Sequence, residues 1–145
     1  APKVTVNDSD VVNNRVGLKF VSSTGGSVSI SRSRFNKNTS YGITLTGVAA
    51  SKFSISDTAV NDNSTGLGID GANPTILDGV TILSNTSQGL AAGGGGTLLL
   101  GRSTIVGNGQ GVNLAPNVLA LSYRNNQING NGQDIAGTFQ TAPLQ

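Results

Sequence analysis

The sequence predicts an all-β solenoid, because one set of residues recurs along the 145-residue chain at a nearly constant interval. An apolar residue precedes each recurring asparagine by three positions, and a glycine follows the first five asparagines after three or four positions. Repeats of this length are typical of proteins built from stacked structural units. The six asparagines, spaced 24, 25, 22, 23 and 23 residues apart, are Asn14, Asn38, Asn63, Asn85, Asn108 and Asn131.

The first predicted strand of each repeat comes before the asparagine. Apolar residues stand ten and eight positions before it, as at Val28 and Ile30, and this period of two indicates a strand with one buried face. In the last repeat the same two positions hold Leu121 and Tyr123. We therefore expect these two side chains to point into the interior.

Two further strands complete each repeat. One contains the apolar residue that precedes the asparagine, such as Phe35, and the other follows the glycine with two apolar residues, such as Ile43 and Leu45. We expect the asparagine to take a left-handed backbone at the bend and to join neighbouring coils through its amide in a ladder. We expect the glycine to supply the positive φ with which the next strand begins.

Together these elements predict one domain over residues 1–145, a right-handed parallel β-helix without α-helices. Because residues 3–6 start a full coil at once, we expect an open edge there to which further coils or another chain are joined. At the other end we expect Gly137, Phe139, Pro143 and Leu144 to fold across the last coil as a cap. The six coils are expected at residues 3–27, 28–52, 53–74, 75–96, 97–119 and 120–145.

The coil pattern resembles that of a known family. The pattern V-x-I-x-x-S-x-V-x-x-N-x-x-G-L-x-L, seen in Val4–Phe20 and Val28–Leu45, is similar to that of right-handed parallel β-helix repeat proteins. These are related in fold to pectate lyases and to periplasmic proteins of the NosD type. The resemblance covers residues 3–137 and implies the fold, but not one activity, since such coils occur in lyases, hydrolases, epimerases and adhesins.

The composition limits the chemistry that the chain can perform. It has no cysteine for disulfides or thiolate metal sites, and no histidine, which is the commonest metal ligand and general base. We therefore predict no metal and no cofactor. No apolar run of about 18 residues is present, so we expect no membrane span. Residues 1–52 hold seven Lys/Arg and two Asp, a net +5, whereas residues 53–145 hold two Arg and five Asp, a net −3.

Three residues are candidates for catalysis. Asp57, Asp78 and Arg102 occupy nearly equivalent positions in adjacent coils, and polysaccharide-cleaving proteins of similar fold place acidic and basic residues together on one outward face. A structural interpretation competes with this one. The alternating charges at the position six before the asparagine predict ion pairs between strands; down the stack this position holds Asp8, Arg32, Asp57, Gly79, Arg102 and Asn125. Alternation along the strand is expected to turn Asp78 away from Asp57.

Basic residues near the first two asparagines form a candidate binding site. Arg15 and Lys37 lie next to the asparagine bend, and we expect Lys19 and Tyr41 to lie close by. A basic patch with one aromatic side chain is suited to an acidic saccharide. An acidic polysaccharide is therefore the expected ligand, and an ordinary charged rim is the alternative.

Apolar residues at outward positions form a candidate interface. Ile76 and Leu99 occupy equivalent positions in adjacent coils, and Leu83 and Val106 do the same. Because an outward apolar stripe indicates a surface that contacts another protein, we expect self-association there.

Three other motifs are weak signals. Gly66–Gly71 matches the nucleotide-binding pattern G-x-G-x-x-G, but no helix follows it. Gly130–Asp134 resembles part of a calcium-binding nonapeptide, yet it occurs once. Thr44–Thr46 is the lone T-x-T motif, whereas ice binding requires regular ranks of threonine.

We predict from these features a scaffold or binding module without catalysis, belonging to a secreted, periplasmic or cell-surface protein. The expected partners are an acidic polysaccharide and further copies of the chain, with no nucleic acid. The alternative is a polysaccharide-processing enzyme, either a lyase or a glycoside hydrolase, or a fragment of one.

Overall fold

The computed structural model describes residues 1–48, 50–71 and 74–142. Within these ranges it contains 18 strands and no helix, as the sequence predicts. The strands are β1 (Lys3–Asn7), β2 (Asp10–Val12), β3 (Val16–Val21), β4 (Ser27–Ser31), β5 (Arg34–Asn36), β6 (Tyr41–Thr46), β7 (Lys52–Ser56), β8 (Thr65–Asp70), β9 (Thr75–Asp78), β10 (Thr81–Leu83), β11 (Gln88–Gly93), β12 (Thr97–Gly101), β13 (Thr104–Val106), β14 (Gln110–Leu114), β15 (Leu119–Ser122), β16 (Gln127–Asn129), β17 (Gln133–Ala136) and β18 (Phe139–Thr141).

The strands form three parallel sheets that run along the stack. The first sheet has the order β1-β4-β7-β9-β12-β15-β18, and the third has the order β3-β6-β8-β11-β14-β17. The second sheet consists of β2-β5 and β10-β13-β16, which Ala59 joins through single bridges to Arg34 and Thr81. Because the chain visits the three sheets in turn, each circuit is one coil, and about six coils make a parallel β-solenoid.

Like positions of successive coils stack inside the solenoid. In the first sheet Val28, Phe53, Thr75 and Leu98 are in register, and all four are almost fully buried. Each large apolar side chain buried in this way stabilises the fold by about 1.5–3 kcal/mol. The interior is therefore one continuous apolar column extending along the stack.

The asparagine ladder predicted from the sequence is confirmed, and Asn63 illustrates its bonding. The Nδ2 of Asn63 donates to Oδ1 of Asn85 at 3.1 Å and to the carbonyl oxygen of Phe35 at 2.9 Å. Its Oδ1 accepts from the backbone N–H of Asn38 at 2.9 Å and from the Nδ2 of Asn38 at 3.0 Å. The side chain of Asn63 thus satisfies polar groups of both adjacent coils.

The expected backbone conformations at this bend are wrong. No ladder asparagine has a positive φ; the left-handed residue is the one before it, as at Lys37 (φ 56°) and Ser84 (φ 56°). Nor does Gly66, from the glycine position that follows, have a positive φ. A Cβ there would lie 2.7 Å from the carbonyl oxygen of Gly89 and 2.9 Å from Nδ2 of Asn85. Glycine is required because the ladder leaves no space for a side chain.

The last coil differs from the expected register by one residue. The inward positions of β15 are held by Ala120 and Ser122, which pair with Leu98 and Leu100, whereas Leu121 pairs with Leu99 on the outer face. Tyr123 lies beyond the strand. The left-handed residue of this bend, Arg124, stands seven positions before Asn131 rather than six, because the bend contains an extra residue.

The prediction that the C-terminal residues cap the last coil is wrong for Phe139. Phe139 does not fold across the last coil; it begins β18, pairs in parallel with Ala120 and packs against the core. Its apolar side chain continues the inward column of the first sheet, which favours another strand over a cap. Gly137 has a φ of 99° just before this strand. Pro143 and Leu144 lie outside the described residues.

Candidate functional site

The outer face of the third sheet contains a groove with two cations and one aromatic ring, which we call the basic groove. It has a volume of about 300 Å³. The pairing of β3 with β6 produces it, since Val16 lies beside Tyr41 and Lys19 beside Thr44. The lining residues are Arg15, Val16, Lys19, Val21, Ser40, Tyr41, Thr44 and Thr46.

Three of the four residues predicted to bind a ligand meet in the basic groove. Arg15, Lys19 and Tyr41 line it, and all three are exposed. Lys37 is exposed as well, but it is not among the lining residues. Within the described part of the chain neither Arg15 nor Lys19 has a carboxylate at ion-pair distance, so both charges are available to a ligand.

A second groove continues along the same sheet, and we call it the small-residue groove. Its volume is about 310 Å³, and it shares Tyr41 and Thr44 with the basic groove. A column of short outward side chains forms its floor, because Thr44, Gly68, Ala91 and Asn113 are in register. The full lining is Tyr41, Thr44, Leu45, Gly68, Ile69, Asp70, Ala91, Ala92, Gly93, Asn113 and Ala115.

The ring of Tyr41 lies across the sheet over the next coil. A Cβ at Gly68 would be 3.2 Å from Cε1 of Tyr41, so the ring occupies the space that a side chain at position 68 would need. Tyr41 remains 37% exposed. The glycine therefore leaves room for the aromatic ring beside it, while part of the ring stays accessible to both grooves.

The three residues predicted as catalytic candidates lie together at the bend between the first and second sheets. Arg102 binds Asp78 with two hydrogen bonds, Nε to Oδ1 at 2.9 Å and Nη2 to Oδ2 at 2.7 Å, and its Nη2 lies 3.9 Å from Oδ1 of Asp57. The expected separation of Asp78 from Asp57 is therefore wrong, because one guanidinium contacts both. Sequence alternation was a poor guide here, since Asp78 ends a strand and Asp57 lies within the bend.

The electrostatics of this cluster are those of ion pairs. The hydrogen bonds from Arg102 hold the pKa of Asp78 below its ordinary value. A general acid in glycoside hydrolysis needs the opposite shift, because it must be protonated near neutral pH. The hydrogen bonds from Arg102 therefore favour the ionised form of Asp78, which has no proton to donate.

The predicted alternation of charges is present at the same bend in the first two coils of the stack. Arg32 binds Asp8 with two hydrogen bonds of 2.8 Å, and Arg34 pairs with Asp10 one strand further along the coil. The hydrogen bonds from Arg32 lower the pKa of Asp8. These pairs line a shallow groove of about 460 Å³ together with Asp57. Each cation has an anion beside it, so this groove has little net charge to offer a ligand.

The predicted interface residues form two separate stripes. Ile76 pairs with Leu99 on the first sheet, and Leu121 extends this stripe by one coil. Leu83 pairs with Val106 on the second sheet. Ile76 is 40% exposed, whereas Leu83, Leu99 and Val106 are half-buried.

Sequence reasoning missed several polar side chains that bind one another between coils. Gln88 donates to Gln110 at 3.1 Å and Gln110 to Gln133 at 2.8 Å, forming a short glutamine ladder at the start of the third sheet. At the last coil, Asp134 accepts the backbone N–H and the Nδ2 of Asn131, both at 3.0 Å. Asp134 thus takes the place of the next asparagine. Counting from the asparagine places Gln110 and Gln133 in one column, but it places Gln88 one position later, because that bend contains one more residue.

Metal sites and membrane-spanning helices are both absent from the part of the chain that the structure describes. Residues 1–48, 50–71 and 74–142 contain no group of three or more Asp side chains placed to hold a metal ion. The same ranges contain no helix of the length and apolar character needed to cross a bilayer.

The chain matches one model of a protein family, described as right handed beta helix region, over residues 1–142. No curated protein and no solved structure matches it. The match covers nearly the whole chain and agrees with the stacked parallel strands, and it adds the handedness of the coil. It names no ligand and no reaction.

Proposed function

We propose, from the premise that the chain belongs to the right-handed β-helix family, that it is a non-catalytic module that binds acidic polysaccharide in the basic groove. The observation that carries the proposal is the lining of this groove. Arg15, Lys19 and Tyr41 are exposed side by side, and no carboxylate lies among the lining residues.

The chemistry of these side chains fits a sugar acid. Arg15 can bind a carboxylate or sulfate with two parallel hydrogen bonds, and Lys19 adds a second positive charge. The ring of Tyr41 provides an apolar face for the C–H groups of a pyranose and a hydroxyl for its polar edge. Strand pairing and the hydrogen bond from Ser40 N–H to the Arg15 carbonyl hold the backbones of the three in place, so only their side chains need to adjust when a ligand binds.

The binding proposal is tested by electrophoresis in native gels that contain polygalacturonate or hyaluronan. We expect the wild-type protein to be retarded, and Lys19→Gln to weaken the retardation at least about threefold, since it removes one of two ligand-facing charges. Lys52→Gln is the matched control, because Lys52 is also exposed but lies at the start of β7 in the first sheet. Equal effects of both variants would mean that net charge alone causes the retardation.

The same incubations test the enzymatic alternative. Neither unsaturated products, which absorb in the ultraviolet, nor new reducing ends are expected. Their appearance, together with their loss in Asp78→Asn, would overturn the non-catalytic proposal and would assign the reaction to the Asp57, Asp78 and Arg102 cluster.

We propose as a second function that the chain associates with copies of itself through the first sheet. The observation that favours it is the apolar stripe of Ile76, Leu99 and Leu121 on the outer face of this sheet, with Leu119 42% exposed beside it. Contact with a second stripe would remove this apolar surface from water.

A further inference from the structure

We infer that the ligand extends along the stack and is chemically mixed, with an acidic sugar in the basic groove and an uncharged sugar in the small-residue groove. This inference rests on the proposed binding function. It adds a second subsite, and it places the oligosaccharide along the third sheet from β3 towards β14.

The two grooves are continuous because Tyr41 and Thr44 line both. The ring of Tyr41 reaches from β6 over Gly68 on β8, so one aromatic surface serves adjacent units of a ligand. From β3 to β14 there are four steps between neighbouring strands, or roughly 19 Å at about 4.8 Å per step. An oligosaccharide that follows the column of outward side chains therefore crosses both grooves.

Short side chains make the second groove. Gly68 and Ala91 occupy outward positions between Thr44 and Asn113. The ring of Tyr41 covers Gly68, whereas Ala91 leaves space in the groove that a larger side chain would fill. The half-buried amide of Asn113 can both donate to and accept from a sugar hydroxyl. The floor is thus apolar at its centre and able to form hydrogen bonds at its end, which suits the two kinds of surface on a pyranose.

Charge distinguishes the two subsites. The exposed carboxylate of Asp70 lines the small-residue groove, whereas the basic groove has two cations and no anion. Asp70 can accept hydrogen bonds from neutral hydroxyl groups, but it repels a sugar carboxylate. An oligosaccharide with an acid on every unit is therefore disfavoured, and one in which acidic and uncharged units alternate is favoured.

Calorimetric titration with two probes tests the inference. Oligogalacturonate has an acid on every unit, and hyaluronan fragments alternate glucuronate with an uncharged amino sugar. We expect the wild-type protein to bind hyaluronan fragments more tightly than oligogalacturonate of equal length, and to gain affinity as the hyaluronan fragment grows from a disaccharide. Asp70→Asn should raise the affinity for oligogalacturonate about threefold and leave the affinity for hyaluronan nearly unchanged.

A second variant tests the groove by its shape. Ala91→Leu should lower the affinity for long hyaluronan fragments about tenfold and leave the affinity for the disaccharide unchanged, because position 91 lines only the small-residue groove. Ser29→Leu, at an outward position of the first sheet, is the matched control.

The outcomes separate the two proposals. If the wild-type protein binds neither probe, the proposed function itself is wrong, and the second subsite falls with it. If the disaccharide binds but longer fragments gain nothing, or Ala91→Leu weakens short and long fragments equally, the basic groove stands alone and the second subsite is wrong.

Discussion

At the scale of single residues, the interior amides of the ladder satisfy groups that the coil would otherwise bury without partners. Asn85 is fully buried, and its Nδ2 donates to the Val60 carbonyl at 3.0 Å and to Oδ1 of Asn108 at 2.8 Å. Its Oδ1 accepts from the backbone and the side chain of Asn63. One amide therefore connects three coils.

Removing this amide should be costly. We expect Asn85→Ala to lower the free energy of unfolding by about 3–5 kcal/mol, because several buried donors and acceptors lose their partner. Asn14→Ala should cost less than about 1 kcal/mol, since Asn14 is exposed and its side chain donates only to the Val12 carbonyl. Urea denaturation measures both values. Equal losses would contradict a special role for the buried amides.

A glycine next to the ladder provides a second test at this scale. Gly66→Ala should destabilise the fold by about 1–3 kcal/mol, since its Cβ would lie within 3 Å of Gly89 and Asn85 while the backbone φ is ordinary. The control is Gly107→Asn. Gly107 has a φ of 70°, and a Cβ there would make only ordinary van der Waals contact with Ser84, at 3.8 Å. The equivalent Asn13 has a φ of 61°, so this change should be nearly neutral in the same denaturation experiment.

Thr75 is an exception among the buried polar side chains. Its hydroxyl has no hydrogen-bond partner among the described residues, and its side chain stacks between Phe53 and Leu98. Thr75→Val keeps the shape and removes the unsatisfied group, so thermal or urea denaturation should show a gain of about 1 kcal/mol. A loss of stability would indicate that the hydroxyl is satisfied by a bound water or another group.

At the scale of elements, the bend between the first and second sheets holds its strands together with exposed ion pairs. Asp78 has a pKa below its ordinary value of 3.8, because Arg102 binds its ionised form. The folded state therefore binds fewer protons than the unfolded state. The contribution of the pair is fully present above the unfolded pKa and is lost as the pH falls through the lowered pKa of the folded state.

The stability contributed by the Asp78–Arg102 pair should therefore decrease at low pH. Asp78→Asn should lower stability near pH 6 by about 0.2–1 kcal/mol, a small value because the Asp78 side chain is 41% exposed. The difference from wild type should shrink as the pH is lowered below 3.8. Urea midpoints at a series of pH values measure it. Asp62→Asn is the control, because Asp62 is also exposed and forms no ion pair within the described residues.

At the scale of the whole molecule, the period of the sequence was enough to predict the coils, since each coil follows the same three-sided path and places an asparagine at the same bend. Features that depend on the exact register between coils were not predictable. The extra residue before Asn131 turned Leu121 outward, and the contact of Arg102 with Asp57 and Asp78 required the shape of a bend. The basic groove was predictable in part. Arg15, Lys19 and Tyr41 meet as expected because they occupy adjacent coils, whereas Lys37 does not line the groove.

The apolar stripe of the first sheet leads to a prediction about assembly. Stable interfaces bury about 800 Å² per partner, and a stripe one side chain wide, most of it half-buried, offers much less. We therefore expect weak self-association, with a dissociation constant on the order of 1 mM. Sedimentation equilibrium over a range of concentrations should show the average mass rising with concentration.

Two variants identify the face that is responsible. Leu99→Thr removes apolar surface at the centre of the stripe while keeping a residue that favours strands, so it should abolish the rise in mass. Val106→Thr makes a similar change on the second sheet and should leave the rise intact. A constant monomer mass at every concentration would rule out association through this sheet, and equal effects of the two variants would show that the contact is not specific to it.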